Sequence, residues 1–241
     1  MIGFGTLLNT AGIVAGGAAG LLFGRLLKER HQEALKAACG VSVLFIGLAG
    51  AMEGMLRVQD GAVLSGRAML VTLCLALGTL LGEIINIEGL IERFGEWLKR
   101  KTGNAKDPRF VGAFVTASLT VCVGAMAIVG ALEDGLQGDW SILATKAVLD
   151  LIIVMVMTCS LGKGCIFSAI PVFIFEGAVT LLASLLRPIL TEAAMGNLSL
   201  VGSILIFCVG LNLVFGQKVR VANMLPAIVF AVIAAFLPLS L

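Results

Sequence analysis

The chain has 241 residues, 59% of them hydrophobic and only 13% charged, with a net charge of +2 and a mean hydropathy of +1.07. Soluble domains average about 45–50% apolar and about 25% charged residues, so a soluble fold is excluded, together with a disordered chain and a basic nucleic-acid binder. What remains is an all-α polytopic transmembrane bundle, a single integral membrane domain over 1–241 whose first partner is the lipid bilayer.

A bilayer core about 30 Å thick takes roughly 20 residues of helix. Uncharged runs of that length stand at 1–24, 110–132, 193–217 and 221–241. Apolar segments with ionisable groups at their ends or inside stand at about 37–56, 65–87, 140–162 and 164–187. The pattern predicts eight spans, or seven if 164–187 enters and leaves by one side. A transmembrane barrel would show alternation of period two, which is missing here. The first run has no basic leader region and reads as a permanent helix.

Basic residues set the orientation. The connections at 25–36, 93–109, 163 and 218–220 hold 13 of the 17 Lys and Arg residues and are expected on the cytoplasmic side. Between the third and fourth spans, Ile87–Thr102 (IEGLIERFGEWLKRKT) sets Ile87, Leu90, Ile91, Phe94 and Leu98 at helical spacing opposite Glu and Arg/Lys. With Trp97 and a basic end, 87–102 suits an amphipathic helix on the membrane surface. A cytoplasmic extension of the third span is the alternative.

The chain also echoes itself. DGAVLSGRAML (60–70) matches DWSILATKAVL (139–149) at an offset of 79, with Asp60/Asp139, Leu64/Leu143 and Arg67/Lys146 in register. GLAGAMEG (47–54) resembles IVGALEDG (128–135), and Gly50, Gly130 and Gly210 are spaced by 80. Helix–loop–helix units at about 37–87 and 110–162, with a degenerate third copy at 193–241, are the expectation. Transporters are commonly built from such repeats, with the binding site where they meet.

Gly12, Gly16, Gly20 and Gly24 recur every fourth residue of the first span. They form a side-chain-free stripe for close helix packing, within one chain or between subunits of a homo-oligomer.

Ionisable groups at membrane depth mark pathways or paired contacts. Asp150 lies ten residues beyond Trp140, about 15 Å along a helix, and Lys146 is one turn earlier on the same face. Glu176 sits inside IPVFIFEGAVTLL with no base one turn away. A carboxyl there would stay neutral unless a cation, or a base from another helix, joins it. Asn9, Asn212 and Asn223 offer neutral oxygens of the kind that hard cations such as Na⁺ prefer. Glu53, Glu133 and Asp134, at the outward ends of the second and fourth spans, read as solvated loop carboxylates, with a cation-gathering mouth as the alternative. Leu161–Gly164, Pro171 and the stretch before Pro226 are candidate helix breaks, tolerated in lipid where they line a cavity.

Cys39, Cys74, Cys122, Cys159, Cys165 and Cys208 form no CxxC pair, and His31 is the only histidine. No metal site, disulfide framework, cofactor motif or catalytic constellation is expected, and the chain reads as a non-enzyme.

At GALEDGLQGDWSILATKAVLDLIIVMVMTCSLGKG (130–164) and VANMLPAIVFA (221–231) the sequence resembles the YqgA/YdfK-type bacterial membrane proteins. The likeness extends from FGTLLNTAGIVAGGAAG (4–20) essentially to the C-terminus. Its most specific part is Gly138, Asp139, Ser141, Ile142, Leu143, Lys146, Leu149 and Asp150, then Cys159, Ser160, Leu161 and Gly162. The resemblance implies a bacterial inner-membrane protein, for which a Na⁺ channel or pump has been suggested, and supplies no catalytic residues.

The expected function is a cation (Na⁺ or H⁺) channel or ion-coupled secondary transporter, with ion ligands at Asp150, Lys146, Glu176, Asn212, Asn223 and Asn9. A non-transporting membrane scaffold and a small-solute carrier are the alternatives.

Overall fold

Leu, Ile, Val and Ala dominate the runs above, and with no water to satisfy backbone groups such runs fold as helices. In the computed structural model, which describes residues 1–59, 62–122 and 124–237, they do. In chain order come α1 (Phe4–Leu26), α2 (Glu29–Met55), a ribbon of β1 (Leu56–Gln59) and β2 (Ala62–Ser65), and α3 (Ala68–Ile85). Then follow α4 (Ile87–Lys101), α5 (Phe110–Cys122), α6 (Ala125–Gln137), α7 (Ser141–Leu161) and a 3₁₀ stretch at Lys163–Ser168. The chain continues as α8 (Ala169–Leu181), α9 (Ala183–Leu186), α10 (Glu192–Phe215), α11 (Val221–Met224) and α12 (Pro226–Ala234).

Among the described residues, six helices are long and apolar enough to cross a membrane. A seventh is counted when α5 and α6, bent by 61° at their junction, form one span. Within the run at 221–241, the described residues form the shorter apolar stretch Val221–Ala234. Many large apolar side chains stay uncovered, such as Phe45, Ile84 and Leu181, as expected of a surface solvated by lipid.

Glycine sets how the helices meet. A Cβ on Gly12, Gly16 or Gly20 would collide with the carbonyl oxygen of Ala147, Leu151 or Met155, and one on Gly24 would press on Cys159. The difference in residue number is 135 each time, so α1 and α7 run parallel in backbone-to-backbone contact. The stripe is therefore covered within the chain. Elsewhere the pairing is antiparallel: Gly47 and Gly54 of α2 meet Phe207 and Leu200 of α10, and Gly78 and Gly82 of α3 meet Ala227 and Asn223.

The segment after Gly162 runs back along α1, with Ile166 against Gly17, Glu176 on Asn9 and Thr180 beside Thr6. It crosses the bundle and does not leave by the side it entered. Pro171 falls in the first turn of α8, where the missing N–H costs nothing, so it starts that helix and does not interrupt it. The break lies earlier, at Gly162 with φ 104°.

Asn86, at φ 56°, ends α3 and caps α4 by accepting from the Gly89 N–H. One left-handed residue thus turns α4 off the line of α3, so α4 is a separate amphipathic helix. Leu98 and Gly95 pack inward, Phe94 stacks on Trp97, and Leu90, Phe94 and Trp97 stay exposed.

The ribbon β1–β2, paired antiparallel from Leu56↔Ser65 to Gln59↔Ala62, is not foreseen by the hydropathy pattern. Asp60 and Gly61, between its strands in sequence, lie outside the described residues, and so does the Asp60 end of the repeat match. The segment 47–54 falls in the unbroken α2, whereas its counterpart 128–135 falls in α6 beyond the bend.

Candidate functional site

α7 carries Lys146 and Asp150 one turn apart, both buried. The ammonium donates to Asp150 Oδ2 and, at 2.9 Å, to the backbone carbonyl of Val121 near the end of α5. Its Nζ is also 3.5 Å from Glu176 Oε1 on α8. α1 completes the group, with Asn9 Nδ2 donating to the same Glu176 oxygen at 2.8 Å. Four helices therefore converge on one lysine, two carboxylates and one amide. Asn9 and Glu176 are fully buried, and Lys146 and Asp150 are 6% and 4% exposed.

The level of the cluster follows from the helix ends. Asn9 and Lys146 each lie five residues past the start of α1 and α7, and Glu176 lies five before the end of α8. At 1.5 Å per residue that is about 8 Å inside one end of the bundle, with Asp150 a turn deeper.

Its charges do not balance. One ammonium faces two carboxylates, and among the described residues Glu176 Oε2 and Asn9 Oδ1 have no hydrogen-bond partner. A buried ion is stable only when paired and hydrogen-bonded. Chemically, the arrangement can accept one further positive charge, as a proton on a carboxyl or as a cation bound to oxygen.

Towards the near end of the bundle the cluster is closed by packing. Thr6 and Thr180 hydroxyls lie 3.4 Å apart. Asp134, fully buried, accepts from the backbone N–H groups of Gly3 (3.2 Å) and Gly5 (3.0 Å) and so caps α1. Asp134 is thus not the solvated loop carboxylate suggested by its sequence setting. A carboxylate at a helix N-terminus satisfies free N–H groups and faces the positive end of the dipole, a role that local sequence around Asp134 does not reveal.

The other two asparagines lie elsewhere. Asn212 ties down the loop after α10, donating to Val219 O at 2.7 Å and accepting from the N–H groups of Lys218 and Val219. Asn223 accepts from the Glu88 N–H at 2.7 Å, joining α11 to the start of α4. Both act as ties between elements. Val121, Thr6 and Thr180 were not singled out by sequence, since a backbone carbonyl and isolated threonines carry no local signal.

At the opposite, basic end a cavity of about 540 Å³ opens between α2, α4, α5, α7 and α10. Its wall follows α5 from Arg109 to Leu119, two residues before the carbonyl that holds Lys146. Glu88, placed by sequence on the polar face of α4, is instead buried in this wall and accepts from Gln217 Nε2 at 2.7 Å. Burial, then the nearby Glu92 carboxylate, push its carboxyl above the usual range, against the opposing pull of Arg220 and Gln217.

The model of the family described as "Protein of unknown function (DUF554)" matches residues 4–236, so the chain belongs to that family. It is 29% identical over 233 residues to the "Uncharacterized membrane protein YdfK" of Bacillus subtilis, covering 97% of this chain and 96% of that one. It is 29% identical over 231 residues to the "Uncharacterized protein YqgA" of Escherichia coli, covering 94% of each. No solved structure matches.

Proposed function

We propose that this member of the DUF554 family is an ion-coupled membrane transporter, in which Asp150 and Glu176 take up and release a proton or Na⁺ beside Lys146. One observation carries the reading: two buried carboxylates share one ammonium, and among the described residues acceptor oxygens of Glu176 and Asn9 are left without donors. Lys146 is held closest to Asp150, so the unbalanced charge falls on Glu176. Neutralising it favours one packing of α1, α7 and α8, and losing the ion favours another. That is the differential interaction a coupled conformational change requires.

A carrier suits the site better than an open pore, because all four side chains are buried. The glycine stripe that favoured a scaffold is taken up by α7 in the same chain. In this reading the protein sits in the bacterial inner membrane with its basic connections in the cytoplasm, and catalyses no chemical conversion.

The test follows Na⁺ uptake and internal pH together in proteoliposomes. Wild type is expected to move Na⁺ or protons. Glu176→Gln and Asp150→Asn each remove the excess charge, and each is expected to lower flux by about tenfold or more while remaining folded. A folded wild type that moves neither ion overturns the proposal.

A further inference from the structure

We infer that a second cavity, between α4, α5, α8, α10 and α12, holds an acyl chain of an anionic phospholipid whose phosphate lies at Arg93 and Lys101 of α4. Its volume of about 570 Å³ lies within the range of small-molecule sites, about 300–1,000 Å³. Among the described residues that line it none is charged, and only Ser118 and Cys122 carry a polar side-chain atom. Buried water needs several polar partners, so such a wall holds no water cluster, and it offers nothing to a bare ion.

The cavity is long and runs with the helices. Phe114 and Cys122 both line it, about 12 Å apart along α5. Its inner end, at Cys122, adjoins Val121, whose carbonyl takes Lys146, and so reaches the level of the charged cluster. Its outer end lies under α4, where the rings of Phe94 and Phe114 are 5.9 Å apart. Phe114, Ile128 and Leu198 are buried at its floor, whereas Leu90, Phe94, Phe175 and Val229, from three helices, stand exposed at its mouth. The mouth therefore faces the hydrocarbon of the bilayer, as the other uncovered apolar side chains do. An empty cavity forgoes dispersion contacts along its wall, and a hydrocarbon chain entering from the bilayer restores them.

α4 supplies the charge that selects the lipid. Leu90, Phe94, Trp97 and Lys101 follow one another at spacings of four, three and four, along one face of the helix. Arg93 and Lys101 each stand four residues from Trp97, which stacks on Phe94 at 5.7 Å. The acidic residues are engaged on other sides: Glu88 and Glu92 line the cavity at the basic end, and Glu96 pairs with Lys99. Arg93 and Lys101 are exposed, and among the described residues neither has an ion-pair partner within 4.0 Å. Exposed tryptophan settles at the headgroup level of a bilayer, and bases beside it attract anionic lipid. Apolar mouth, aromatic ring and bases thus stand in the order of a phospholipid's chain, ester region and phosphate.

The inference stands apart from the transport reading. The experiment is native mass spectrometry of the full chain, delipidated in detergent and titrated with phosphatidylglycerol, phosphatidylcholine or glycerol 3-phosphate. One phosphatidylglycerol per chain is expected to bind saturably, about tenfold or more tighter than phosphatidylcholine, with no binding of glycerol 3-phosphate. Arg93→Gln combined with Lys101→Gln is expected to abolish the preference without unfolding the chain, since both side chains are exposed. Gly124 lines the cavity, and a Cβ there would meet nothing within 4 Å. Gly124→Leu therefore fills the space without a clash at Cβ and is expected to weaken both lipids about tenfold or more.

Equal binding of the two lipids, uptake of many lipids without saturation, or binding of glycerol 3-phosphate would each overturn the inference. So would a preference kept in the double variant, or lipid binding unchanged in folded Gly124→Leu. Ion flux without selective lipid binding sinks this inference alone; selective lipid binding without ion flux sinks the transport reading alone.

Discussion

Asn9 Nδ2 and Glu176 Oε1 are hydrogen-bonded at 2.8 Å across 167 residues of sequence, joining the first helix to α8 at the level of Lys146. The bond holds one oxygen of Glu176, while the other has no hydrogen-bond partner among the described residues. A double-mutant cycle with Asn9→Ala and Glu176→Ala should give a coupling of about 1.5–3 kcal/mol in thermal unfolding, the range for hydrogen bonds to charged groups. Additive effects would show that the two side chains do not act together.

Close packing of α1 on α7 makes a graded prediction at glycine. A Cβ at Gly16 would collide with the Leu151 carbonyl oxygen, whereas one at Gly112 meets open space. Gly16→Ala is expected to cost about 1–3 kcal/mol or more through overpacking against backbone. Gly112→Ala should be neutral or stabilising by up to about 1 kcal/mol, since alanine is the better helix former. Melting temperatures in one detergent compare the two directly.

Asp134 predicts local fraying. With its carboxylate removed in Asp134→Ala, the N–H groups of Gly3 and Gly5 lose their acceptor at the start of α1. Stability should fall by about 0.5–2 kcal/mol, as for loss of an N-cap. Hydrogen exchange should speed up over the first turns of α1 and not at α10. Uniform exchange changes would count against a capping role.

Glu88 gives a pH signature. Its carboxyl is pushed above the ordinary value of 4.5 by burial first and then by Glu92, with Glu83 adding to this and Arg220 and Gln217 opposing. The folded state therefore holds the proton more tightly than the unfolded chain. Its contribution to stability is complete below about pH 4.5 and is lost as pH rises through the folded value. The stability difference between wild type and Glu88→Gln should accordingly shift against wild type on going from pH 4.5 to neutrality. A difference independent of pH in that interval would contradict it.

The sequence made Lys146 and Asp150 legible as a pair because both lie on one helix face, four residues apart. Glu176 stood without a base on its own helix, and the base that joins it comes from α7, as only a fold can arrange. Asn9 was legible as a polar residue in an apolar run, whereas its direction towards Glu176 was not. Asn212 and Asn223 had the same signature and proved to tie loops and helix ends, since composition cannot say where an amide points. Asp134 and Glu88 looked like surface carboxylates because their neighbours in sequence are polar; their burial depends on α1 and on the loop after α10.

Sequence alone determined that this is a membrane-embedded helical bundle, because the absence of water at depth forces every long apolar run to satisfy its own backbone, a local requirement. It also determined the glycine stripe and the amphipathic character of 87–102, both matters of helical period, whereas the separation of α4 from α3 rests on the turn at Asn86. Tertiary structure alone decided that the stripe faces α7, that 163–181 crosses the bundle, and that two carboxylates share one ammonium. These are contacts between segments more than 100 residues apart or between separate helices. Their energies depend on which faces meet, and no local pattern encodes that.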